Sequence, residues 1–140
     1  MLKLFDLKTN HRTAPLGIDG VPYFGWKYRS DRKNVTQQAY RLTVEDVQTK
    51  EVVWDSGAVS SSQSSFADYA GAPLHSCTEY RWTVRVWDNH GECAAASADF
   101  ETAFLCTEDW KARWAESTLE RVPDPDYPIG ASCAPVLFRK

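Results

Sequence analysis

The stretch from Tyr80 to Trp87 constrains this chain more than any other. Tyr80, Trp82, Val84 and Val86 alternate with Arg81, Thr83, Arg85 and Trp87. Successive side chains of a strand point to opposite faces, so strict alternation means one buried face and one wet face. Four large apolar residues on one face require a second layer to cover them. Asp88-Asn89-His90-Gly91 closes the run as a hairpin loop, with Gly91 supplying a position of positive φ. The returning strand is expected from about Ala94 to Phe104.

Weaker versions of the same signal recur. Phe24, Trp26 and Tyr28 share one face of an earlier strand. From Gln38 to Val47, Tyr40, Leu42 and Val44 alternate with Arg41, Thr43 and Glu45. Val52-Val53-Trp54 is a short strand stopped by the turn sequence Asp55-Ser56-Gly57. Ser60 to Ser65 reads as a surface loop running into a short edge strand at Phe66. Pro15, Gly17, Gly20, Pro22 and Gly25 forbid a helix and predict an extended, turning lead-in. Short strands spaced by turns, with no amphipathic helix among them, predict an all-β antiparallel sandwich. Its core should contain Trp26, Tyr40, Leu42, Val44, Trp54, Leu74, Tyr80, Trp82, Val84 and Val86. After Phe104 the character changes. Thr107 is placed to cap a helical turn through Trp110, Pro123, Pro125 and Pro128 make an irregular stretch, and Val136 to Phe138 reads as a strand start. The expected organisation is a lead-in over 1–19, a sandwich over 20–104, and a linker with the first strand of a truncated second β-domain over 105–140.

Other classes of function find little support. The net charge is −3 and the 16 Lys and Arg are scattered, against a nucleic-acid partner. No apolar run approaches membrane-spanning length and no signal-like segment opens the chain, so no membrane partner and a cytoplasmic location are expected. Cys77, Cys93, Cys106 and Cys133 match no zinc spacing. Free thiols are the expectation, with a Cys77–Cys93 bridge between neighbouring strands as the alternative. His11, His75 and His90 are isolated, so neither metal nor cofactor is expected. Glu45 and Asp46 point to opposite faces of a strand, and Glu108-Asp109 suits the first turn of a helix. No G-x-S-x-G frame surrounds Ser56, so no catalytic residue is assigned.

Two resemblances sharpen this picture. Leu74-His75-Ser76-Cys77-Thr78-Glu79-Tyr80, followed by Val84 and Val86, resembles the E–F corner of fibronectin type III domains, with Ser76 where proline and Cys77 where glycine is common. The resemblance implies a structural corner of Leu74, Thr78 and Tyr80, in which the tyrosine hydroxyl bonds the backbone upstream. The second likeness runs along the chain: Asn10 to Asp19, Pro22-Tyr23-Phe24-Gly25-Trp26, Gln37-Gln38-Ala39-Tyr40, Trp54-Asp55-Ser56-Gly57, Tyr69-Ala70-Gly71, Tyr80 to Asp88, Asp109 to Trp114 and Ala134 to Lys140. In that order these are similar to the opening of family 78 glycoside hydrolases, the bacterial α-L-rhamnosidases.

That resemblance implies a fibronectin-III/immunoglobulin-like accessory module. The parent enzyme would hydrolyse terminal α-L-rhamnosides with carboxylates in an α/α-barrel further along the polypeptide. The implied partners are neighbouring β-sandwich and α/α-barrel domains, and rhamnose-containing glycans through the parent. The alternative is a free-standing carbohydrate-binding or protein-interaction module. Arg85, Trp87, Trp110 and Trp114 form the candidate interface or ligand patch. Domain packing, capping of the sandwich edge and sugar stacking all suit such rings.

Overall fold

Two antiparallel sheets lie face to face in the computed structural model, which describes residues 1–113. The first contains β1 (Leu2–Thr9), β2 (Tyr23–Ser30) and β6 (Ala67–Asp68), in the order β1-β2-β6. The second contains β3 (Gln37–Asp46), β4 (Val52–Asp55), β7 (Glu79–Asp88) and β8 (Cys93–Glu101), in the order β4-β3-β7-β8. A short β5 (Val59–Ser60) also pairs with β3.

The alternating strands sit where their patterns demand. In β7, Tyr80, Trp82, Val84 and Val86 are fully buried. β3 presents Tyr40, Leu42 and Val44 beside them, in register with Val86, Val84 and Trp82. The opposite sheet supplies Leu2, Phe24 and Trp26. The Phe24 ring lies 4.7 Å from that of Trp82 and 6.0 Å from that of Phe100. Burying a side chain of this size contributes roughly 1.5–3 kcal/mol. Trp54 and Leu74, expected in the core, are only half-buried and pack against its border. Trp54 lies on β4, at the end of its sheet, where no further strand among the described residues covers the flank.

One buried polar side chain joins the layers. The Gln37 carboxamide oxygen accepts the Trp26 indole N–H at 2.9 Å, while its NH2 donates to the carbonyls of Ser61 and Gln63 at 3.1 and 2.6 Å. The serine-rich loop is thereby tied to both sheets, and Trp26 N–H donates to Ser64 O at 2.9 Å.

The lead-in differs from its expected form. Leu2–Thr9 is a regular edge strand paired with β2. Its periodicity is hidden by a bulge: Leu2 and Leu4 turn inward, the register shifts between Phe5 and Lys8, and Leu7 and Thr9 turn inward thereafter. Asp6, with φ of 50°, absorbs the extra residue. The chain then crosses to the other sheet, where Ile18 bridges Thr102 in parallel. The sandwich therefore begins at Leu2 and not near residue 20. Two local expectations also change. The short strand after the serine loop is Ala67–Asp68, and Phe66 precedes it in a left-handed conformation, φ 54°. The expected helical turn is a 3-10 turn over Thr107–Asp109, flanked by Cys106 in the N-cap position, so Thr107 does not cap it. The expected strand at 136–138 and the proline-rich stretch lie outside the described residues.

Candidate interaction surfaces

The outer face of the second sheet carries the first two candidate residues. Cross-strand register sets them in rows: Ala39, Trp87 and Cys93 in one, Arg41, Arg85 and Ala95 in the next. Trp87 is half-buried and flanked by two small side chains, so nothing large covers it from the neighbouring strands. Arg41 and Arg85 stand directly opposite, a repulsive arrangement. Arg41 is engaged by Asp55 through two hydrogen bonds, one of 2.9 Å from Nε to Oδ1. That guanidinium, with the Gly57 N–H, holds the Asp55 carboxyl down at about 2. Arg85 is exposed and makes no ion pair among the described residues. Further rows are self-satisfied: Thr83 with Ser97 at 2.8 Å, and Arg81 with Asp99 at 2.7 and 2.9 Å. Among the described residues the sheet face thus narrows to the Trp87 ring and the unpaired Arg85 beside small side chains.

Trp110 lies elsewhere. It is 60% exposed and meets the Phe104 ring edge-on at 5.1 Å. This pair adjoins the structural corner. The Tyr80 hydroxyl accepts the His75 N–H at 2.9 Å. Thr78 N–H donates to Thr102 Oγ1 at 3.0 Å, and that hydroxyl donates to His75 O at 2.6 Å. Leu74 packs half-buried against the core beneath it. Ser76 Oγ accepts the Leu105 N–H at 2.8 Å and donates to the Asp109 carboxylate. Cys77 has φ of 49°, the conformation that favours glycine. The corner lies at the start of β7 and Trp87 near its end. Seven residues at ~3.4 Å each separate Tyr80 from Trp87 by about 24 Å. Trp87 with Arg85 and Trp110 with Phe104 are therefore two surfaces and not one. Trp114 lies outside the described residues.

The same geometry removes the Cys77–Cys93 bridge. Cys77 precedes β7, whereas Cys93 pairs with Trp87 at its far end. A disulfide needs Cα atoms within about 7 Å, and the strand between them is several times longer. Cys77, Cys93 and Cys106 are exposed thiols. Among the described residues no cluster of three or more His, Cys, Asp or Glu could hold a metal ion, and no helix is long and apolar enough to cross a membrane.

A third surface escaped sequence reasoning. On the outer face of the first sheet, the Tyr23 and Phe66 rings stack at 5.5 Å, and His11 meets them edge-on at 5.2 and 4.9 Å. The three residues are far apart in sequence, and no periodicity joins them. The available signal was parity, since Tyr23 faces opposite to Phe24.

Two antiparallel sheets of strand order β1-β2-β6 and β4-β3-β7-β8, locked by a tyrosine corner, define an immunoglobulin-like β-sandwich of the fibronectin type III kind. Within that class, residues 4–106 match the family described as Rha78A-like, N-terminal immunoglobulin domain, and the chain belongs to that family. An α-L-rhamnosidase of Streptomyces avermitilis is 38% identical over 154 aligned positions, covering 99% of this chain but 15% of its own length. An α-L-rhamnosidase of Formosa agariphila is 34% identical across 71% of this chain and 12% of its own. Among solved structures, the Streptomyces avermitilis α-L-rhamnosidase complexed with L-rhamnose superposes with a TM-score of 0.73 at 32% identity, over 88% of this chain and 13% of that one. The α-L-rhamnosidase from Dictyoglumus thermophilum gives 0.71 at 38% identity, over 79% and 13%. The chain thus spans about 15% or less of the length of these relatives, and what it matches is their N-terminal immunoglobulin-like part.

Proposed function

We propose that this chain is a non-catalytic accessory module of an α-L-rhamnosidase-type glycoside hydrolase, whose whole polypeptide cleaves terminal α-L-rhamnosides. The observation that carries the reading is the family match over residues 4–106, together with relatives named α-L-rhamnosidase that align across 71–99% of the chain. The module's task is packing. Arg85 with Trp87, and Phe104 with Trp110, are the surfaces offered to neighbouring β-sandwich and α/α-barrel domains of the same polypeptide. Tryptophan, phenylalanine and arginine are the residue types enriched at protein interfaces. Rhamnose-containing glycans are the parent's substrates, cleaved by carboxylates outside this module.

Two assays test this. The 140-residue chain alone should release no aryl aglycone from an aryl α-L-rhamnoside, and the parent polypeptide should. Trp87→Ala and Trp110→Ala, made together in the parent, should lower its unfolding temperature while leaving that of the isolated module unchanged. Equal effects in both would assign these rings to the module's own stability.

A further inference from the structure

The His11–Tyr23–Phe66 cluster is an exposed aromatic group that neither the core nor the interface reading uses. Phe66 is 57% exposed. Its backbone adopts φ of 54°, and Asn10 and His11 sit at 49° and 62°. Left-handed geometry is unfavourable for bulky residues, and such outliers gather where a side chain must be aimed. Three clamps hold the aim. Asn10 Oδ1 accepts the Tyr23 N–H at 2.9 Å. The Gln63 amide donates to the carbonyls of Ser65 and Phe66 at 3.0 and 2.8 Å. The Thr9 and Arg12 backbones bond each other in both directions at 2.9 Å, closing the turn that carries His11. Beside the rings, Asp68 pairs directly with Tyr23 across the strands, is exposed and makes no ion pair among the described residues.

We propose that this cluster is a binding platform for a hexopyranoside, which lays its apolar C–H face on the exposed Phe66 ring, backed by Tyr23 stacked against it, and donates a ring hydroxyl to the Asp68 carboxylate. A sugar fits better than a protein partner for a physical reason. An unpaired carboxylate among the rings would be stranded in a dry interface, whereas a hydroxyl satisfies it with a charge-assisted bond. Rigid rings also spare a small ligand the ordering cost that would otherwise consume its few contacts. The site does not depend on the accessory-module reading, and it would stand even if the parent were not a rhamnosidase.

The test is a titration of the 15N-labelled 140-residue chain with methyl α-L-rhamnopyranoside and, separately, with methyl α-D-glucopyranoside. At least one should shift the amides of Asn10, His11, Tyr23, Phe66 and Asp68 saturably, with Kd on the order of 1 mM. Phe66→Gly and Asp68→Asn should each weaken binding about tenfold or more. Glycine suits the backbone at position 66, so the first variant should melt no lower than the parent chain, which separates a lost ring from a lost fold. The proposal is overturned if neither sugar moves those amides, if the shifts gather at Arg85 and Trp87 instead, or if Phe66→Gly binds as tightly as the unchanged protein.

Discussion

Single residues explain both what sequence reasoning reached and where it stopped. Tyr80 was legible because its corner combines strand parity with a fixed offset from Leu74, and its hydroxyl receives the His75 N–H. Tyr80→Phe leaves that part-buried donor without its partner and should cost about 1 kcal/mol in urea unfolding. An unchanged midpoint would show the bond to be replaceable by water. Cys77 stands where related corners carry glycine, and its φ of 49° shows why. Cys77→Gly should raise stability by up to about 1 kcal/mol, because the left-handed penalty exceeds the entropy glycine adds to the unfolded chain. A lower melting temperature would mean that the thiol has contacts worth more than the strain. Gln37 was not legible as a hub. Its partners, Trp26, Ser61 and Gln63, converge only once the layers stack, and a glutamine at the head of a strand gives no hint of burial.

At the level of elements, the strands that alternate cleanly, β3 and β7, emerged from the sequence nearly whole. Those that break period failed. The bulge at Asp6 moves the inward set from Leu2 and Leu4 to Leu7 and Thr9, so β1 was mistaken for a lead-in. β5 and β6, two residues each, fall below any periodic signal. Cross-strand ion pairs on the second sheet predict a pH response. Asp55 is held at about 2, against an ordinary 3.8, first by its hydrogen bond to Arg41. Asp99 is lowered first by Arg81, and Asp46 first by the Thr49 N–H. A depressed folded value means stability that is present above the unfolded value and lost as pH falls. The melting temperature should therefore drop between about pH 4 and pH 2, and Asp55→Asn should flatten that drop. A variant that melts with the same acid slope would place the loss in other carboxylates.

For the whole molecule, the fold class and the family likeness were readable because a sandwich needs only parity, turns and one corner. The candidate patch was not, because nothing in the sequence says that the segment carrying Trp110 returns to the corner at the start of β7. Trp87 lies near the end of β7, whereas Trp110 packs on Phe104 beside the corner at its start. The ends of the described unit are arranged in the same manner. Met1 sits by Asp31 and Glu92, beside the hairpin that follows β7. Leu105 leaves at the corner that precedes it. Tension applied between those ends would run lengthwise along β1 and β8. The backbone bonds Ile18 N–Glu101 O, Glu101 N–Pro15 O and Ala103 N–Ile18 O, at 2.8, 3.0 and 2.8 Å, lie across that direction and would be loaded together in shear. Bonds loaded at once must break at once, whereas a peeled hairpin gives way one bond at a time. The parallel seam between the first crossing segment and the last strand should therefore make the described unit yield at a higher force than a peeled hairpin when it is pulled between those ends.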